Sequence, residues 1–173
     1  MGFNETLKYL VRLHQRRQLN FKTFILLLIS ICPDYYSWWI YFNAFNDSFY
    51  SQLLHQFIFS STELSSTIAL LLLCNKDAKN WKNKCFIIYF VAIFHILCAS
   101  ADQFFVNVIF GNGQSHQQGR DIMLMFGDVI NLAYSLTMLR SSINSNDSPS
   151  TMRITIVLLF GFAIVLTVIV KNL

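Results

Sequence analysis

At 173 residues the chain is 54% apolar and only 13% charged, with a mean hydropathy of +0.46. A soluble domain covers itself with about 25% charged side chains, so this composition excludes an ordinary soluble fold. The net charge of +4 lies in patches that abut apolar runs, a pattern that sets membrane topology and argues against nucleic-acid binding.

Residues 1–20 form a basic, mildly amphipathic arm holding Lys8, Arg12, Arg16 and Arg17. The apolar run that follows has no small-residue cleavage motif, so arm and run read as a retained signal anchor. A mitochondrial targeting helix is the alternative, and Glu5 and the scarcity of serine weigh against it. The first span is predicted at 21–42. Pro33 and Asp34 interrupt it, and proline removes a backbone donor. The segment either continues through Pro33 or ends there, which leaves five spans or four. The second span, 49–73, carries Gln52, His55, Gln56, Ser60, Ser61, Thr62, Glu63, Ser65, Ser66 and Thr67 before an apolar end. Such a helix has to turn its polar groups toward neighbouring helices.

Residues 74–84 are a basic loop with Lys76, Lys79, Lys82 and Lys84. The third span, 85–106, contains His95 and Asp102, with Ala99, Ser100 and Ala101 small enough for close helix approach. Residues 111–121 read as a polar, glycine-bearing loop and a candidate recognition surface. The fourth span, 122–139, contains Gly127, Asp128 and Asn131. A Ser/Asn-rich link precedes the fifth span, 154–170, which has no charge and suits the edge of a bundle. The fold class is thus all-α: a polytopic integral membrane bundle of about five transmembrane helices, forming a single membrane domain over 1–173. Five spans put the basic segments on one side, with the N-terminus cytoplasmic.

Ionisable residues inside a span are costly, roughly 3 kcal/mol for an aspartate at a helix centre. Asp34, Glu63, His95, Asp102, Asp128 and Asn131 are therefore the candidate ligand-binding residues, and Glu63 and His95 the candidate acid–base pair. Counted from the predicted span ends, Asp34, Glu63 and His95 share a middle layer. Asp102 and Asp128 fall in a second layer nearer the lumen. The alternative is that these groups pair with one another only to hold the bundle together.

Other chemistry has little support. No HExxH or ExxH string, GxSxG elbow or phosphate loop occurs, so no metal and no cofactor is expected. Cys32, Cys74, Cys85 and Cys98 form no CxxC pair and read as free thiols. Asp34 and Glu63 on the first two spans, the run Ile87-Ile88-Tyr89 after Trp81, and the stretch Arg120–Leu139 loosely resemble the small sterol-isomerase-like and sigma-2-like membrane proteins. That family has four helices around an acid-containing lipid cavity. The fifth span and the brief first loop depart from it, and no residue role is transferred. The expected function is that of a non-enzymatic subunit or scaffold in the endomembrane system, the endoplasmic reticulum first. Its partners would be membrane lipids and another membrane protein. The alternative is a bundle that binds a small lipid or sterol-like ligand, or a membrane enzyme with a buried carboxylate site.

Overall fold

Long runs of Leu, Ile and Phe leave the backbone in lipid no hydrogen-bond partner but itself, and only a helix satisfies every group within one segment. The structure, a computed structural model, describes residues 3–46, 50–101, 104–143 and 149–171. Among them are the α-helices α1 (Phe3–Gln15), α2 (Phe21–Asn46), α3 (Tyr50–Leu73), α4 (Trp81–Ala101), α5 (Ser115–Ile143) and α6 (Pro149–Lys171), with a π-helical turn at Phe105–Ile109. The described residues contain no strand, only an isolated bridge between Leu19 and Asn75. Five helices, α2 to α6, are long and apolar enough to cross a membrane. The fold is therefore an all-α bundle whose length and composition suit a membrane protein.

The helix α2 runs unbroken through Pro33, so the first apolar segment does not end there. Helix α5 starts at Ser115, which corrects the expected loop at 111–121. Gln117 explains the early start. Its Oε1 accepts the Gln114 backbone N–H at 2.9 Å, half of a capping box. The Gln114 carbonyl in turn accepts the N–H groups of Gln117 and Gln118.

The basic arm is folded onto the bundle. Leu13 of α1 is buried, and Tyr9 and Leu10 pack on the core. The helix ends in a Schellman pattern: Gln18 N–H donates to Leu13 O and Arg17 N–H to His14 O, both at 3.0 Å, with Arg17 at φ 58°. The connecting segment is then tied to the α3–α4 loop. Asn20 N–H donates to Cys74 O at 2.7 Å, Lys76 N–H to Gln18 O at 2.9 Å, and the Gln18 amide to Asp77 at 3.0 Å. Asn20 also caps α2, its Oδ1 accepting the Thr23 N–H at 3.4 Å. Asn20→Ala should lower stability by about 1 kcal/mol, read as an earlier unfolding midpoint in mixed micelles.

Helix α4 is the hub. It packs on α3, α5 and α6, while α2 packs on α3 and α5. Helix α6 joins chiefly through α4, by Phe90 stacked on Phe162 (ring centroids 5.5 Å apart) and Tyr89 donating to the Ile156 carbonyl at 3.4 Å. Its remaining faces expose Val157, Leu158, Val165 and Val168, each more than half accessible, the surface that hydrocarbon would cover.

Helices α2 and α5 are joined by small and polar residues along one seam. Thr23 Oγ1 meets Tyr134 Oη at 2.6 Å, and Ser30 Oγ lies 3.2 Å from both Oδ1 and Nδ2 of Asn131, donating to the first and accepting from the second. Further along, a Cβ on Gly127 would sit 3.1 Å from the Pro33 ring. The interior nearest the basic arm is solid: Leu13, Leu26, Leu70, Cys74, Cys85, Ile88 and Leu139 are all buried. Burial pushes the Cys74 thiol up to about 12, so it stays protonated and inert.

Candidate functional site

Three helices bring a carboxylate, an imidazole and a second carboxylate together in the middle of the bundle. His95 Nδ1 lies 3.0 Å from Glu63 Oε2 and 3.6 Å from Asp128 Oδ1. Glu63, His95 and Asp128 are 4%, 3% and 8% exposed. Helix α3 presents Ser60, Glu63 and Ser66 on one buried face, and Phe57, Leu64 and Ile68 on the opposite, exposed one. The i, i+3 spacing of the polar set confines it to one face of the helix and leaves the exposed face apolar.

The other side of the imidazole is fixed by Thr62. The threonine hydroxyl has one proton, and the Ile58 and Phe59 carbonyls accept it at 2.8 and 2.9 Å. Thr62 Oγ1 therefore accepts from His95 Nε2–H, 2.8 Å away. With Nε2 carrying a proton, Nδ1 is the ring atom that faces both acids. Phe59 stacks on the imidazole with centroids 4.5 Å apart and planes 12° apart.

Asp34 of α2 lies near this cluster without hydrogen-bonding into it. Its Oδ1 is buried and has no hydrogen-bond partner. Ser60 Oγ, one turn from Glu63, is likewise buried and unpartnered. Asn131 is not part of the cluster, since its amide is paired with Ser30. Asp102 lies outside the described residues. Of the candidates, the structure thus joins Glu63, His95 and Asp128, keeps Asp34 beside them and assigns Asn131 to helix pairing.

Asp128 corrects the expected two-layer arrangement. It belongs with Glu63 and His95 rather than in a layer nearer one end. The cause is the early start of α5 at Ser115. Thirteen residues of helix put Asp128 about 20 Å from that end instead of about 9 Å.

A cavity of about 190 Å³ lies on the side of the cluster away from the basic arm. Its wall includes Ser37 and Ile40 of α2, His55 and Phe59 of α3, Cys98 and Ala99 of α4, and Arg120, Asp121 and Leu124 of α5. Asp121 is held by the Arg120 Nε at 2.6 Å and by Asn107 Nδ2 of the π-helical turn at 2.7 Å. The four helices keep the same order. Ser37, Phe59, Cys98 and Leu124 line the cavity. Asp34, Glu63, His95 and Asp128 stand one turn deeper, about 5 Å along each axis. Phe59 belongs to both levels and separates the cavity from the imidazole.

Fold and site together define an all-α bundle, with five helices long and apolar enough to cross a membrane and a buried Glu–His–Asp cluster one turn from a cavity. The chain belongs to a family of unknown function, DUF8801, whose model matches residues 1–173. No curated protein and no solved structure matches it.

Proposed function

We propose that this protein is a membrane-embedded binding protein that takes a small amphipathic ligand into the cavity between α2, α3, α4 and α5. The observation that carries this reading is the one-ended interior. A scaffold should show its acids paired and its interior filled. Glu63 and Asp128 are paired through His95 and stand outside the cavity wall, which is the support the subunit reading keeps. The interior, however, is packed with buried apolar side chains toward the basic arm and holds a cavity toward the other end.

The wall mixes Ile40, Phe59, Ala99 and Leu124 with Ser37, His55, Gln56 and Asp121, the composition of a site that buries an apolar body and orients a polar tip. At about 190 Å³ it is smaller than the roughly 300–1,000 Å³ of sites that engulf drug-sized molecules. A lipid headgroup or small amphiphile suits it better than a whole sterol. The closed end argues against a pore. Phe59 stands between the cavity and Glu63, so the reading assigns binding and no reaction to the carboxylate.

The setting we propose is the endomembrane system, the endoplasmic reticulum first. Lys8, Arg12, Arg16 and Arg17 of the arm and Lys76 of the bound loop lie at one end of the bundle. That charge favours a cytoplasmic N-terminus, with the cavity facing the lumen. Ala99→Phe tests the reading by filling the cavity. The wild-type protein, purified in mild detergent and examined by native mass spectrometry, should carry a bound small amphiphile. The variant should lose it while keeping its unfolding midpoint. Wild-type protein without bound molecules, or a variant that retains them, would refute the proposal.

A further inference from the structure

We infer that Glu63, His95 and Asp128 form a binding site for a divalent first-row transition metal ion of the zinc class. The inference rests on ligand geometry, on the second side of the imidazole and on charge.

Oxygen and nitrogen ligands sit about 2.1 Å from such an ion, so two of them at a tetrahedral angle lie about 3.4 Å apart. His95 Nδ1 stands 3.0 Å from Glu63 Oε2 and 3.6 Å from Asp128 Oδ1, on either side of that spacing. One ligand atom from each of the three residues lies within 4.8 Å of the others. The ion needs a small inward adjustment of side chains already in place.

Metal-bound histidines are held by a hydrogen bond from the other ring nitrogen, which fixes both tautomer and orientation. Thr62 supplies that bond here. Its own proton is committed to backbone carbonyls, so it accepts from Nε2–H and leaves Nδ1 toward the acids. A threonine in this role makes sense for a ligand that must present one particular nitrogen.

The charge balance points the same way. Two carboxylates and a neutral imidazole around a divalent cation sum to zero, the value that a low-dielectric interior favours. Ser60 Oγ, wholly buried and without a hydrogen-bond partner one turn from Glu63, adds an oxygen that has no other explanation in the structure. Carboxylate and imidazole ligands suit zinc, manganese, iron or cobalt rather than copper(I).

Cobalt(II) is the probe, because its visible d–d absorption reports coordination directly. Untagged full-length protein, stripped with chelator in detergent, should bind one cobalt ion per chain with an intense low-symmetry spectrum, and zinc should displace it. Glu63→Gln and Asp128→Asn keep shape and hydrogen bonding, and each should abolish the spectrum. Thr62→Val should weaken binding roughly 10- to 100-fold. Ala99→Phe should leave the spectrum intact, which separates this site from the cavity reading. Folded wild-type protein without the spectrum would overturn the inference, and so would folded Glu63→Gln and Asp128→Asn that bind cobalt as tightly as wild type. If either variant fails to fold, the wild-type spectrum and the Thr62→Val affinity decide.

Discussion

His95→Ala should cost about 3–5 kcal/mol of stability, because it leaves two buried carboxylates facing each other without the group between them. Few single substitutions reach that size. Here the mechanism is specific: Glu63 and Asp128 both aim at Nδ1, at 3.0 and 3.6 Å, and both are almost wholly buried. The variant should unfold at much lower denaturant in mixed micelles, followed by circular dichroism. A second variant separates charge from packing. Replacing Glu63, His95 and Asp128 together by leucine removes the unbalanced charges, and buried ionic groups can often be exchanged for apolar ones of similar volume at little net cost. The triple variant should therefore be more stable than His95→Ala alone. A triple variant no more stable than the single one would show that shape, rather than charge, holds the three helices.

That contrast bears on why the cluster exists. If apolar residues hold the bundle as well, then holding it together does not explain Glu63, His95 and Asp128. The same separation of roles appears at Asn131. It is as deeply buried as His95, but both ends of its amide are satisfied by one serine on the neighbouring helix. Burial of a polar group alone does not mark a site. Unspent valence, as at Asp34 Oδ1 and Ser60 Oγ, is the better sign.

Much of this was legible in the residues. Apolar runs and sparse charge specified an all-α bundle with five helices long enough to span, because backbone satisfaction in hydrocarbon allows little else. The cost of an intramembrane polar group singles out Asp34, Glu63, His95, Asp102, Asp128 and Asn131, and Glu63, His95 and Asp128 are the three that meet. Asp128 sits deeper than its distance from the apolar run implies, because the start of α5 depends on the Gln117 side chain capping Gln114, within a polar stretch whose Gly119 favours a turn. Glycine in a helix is only mildly unfavourable, about 1 kcal/mol against alanine, too little to stop a capped helix. The roles of Thr62 and Phe59 could not be read from spacing, since both follow from how α3 is rotated against α4. Their sequence signal was slight: Thr62 adjoins Glu63, and Phe59 precedes it by one turn. The arm's attachment through Gln18, Asn20 and the Cys74 carbonyl is a contact between distant backbone segments that no local pattern announces.

Gly127→Leu should cost about 1–3 kcal/mol through overpacking and should weaken binding at the neighbouring cluster as well. A Cβ at this position would lie 3.1 Å from Pro33 Cγ, tighter than ordinary van der Waals contact. The atom it meets belongs to a closed ring that cannot swing aside as a long side chain would. Helices α2 and α5 would have to separate, and Asp128, the next residue along α5, would be drawn from its 3.6 Å position opposite His95. Gly127→Ala should show the same effects in smaller degree, since one methyl needs only a few tenths of an ångström. The pairing with Pro33 can be isolated by a double-mutant cycle. Pro33→Ala removes the ring, so Gly127→Ala should cost less in that background than in the wild type, and cobalt affinity should recover with it. Additive losses would place the strain elsewhere. Lost stability with unchanged cobalt affinity would show that Asp128 is positioned by its own partners and not by the close approach of α2 to α5.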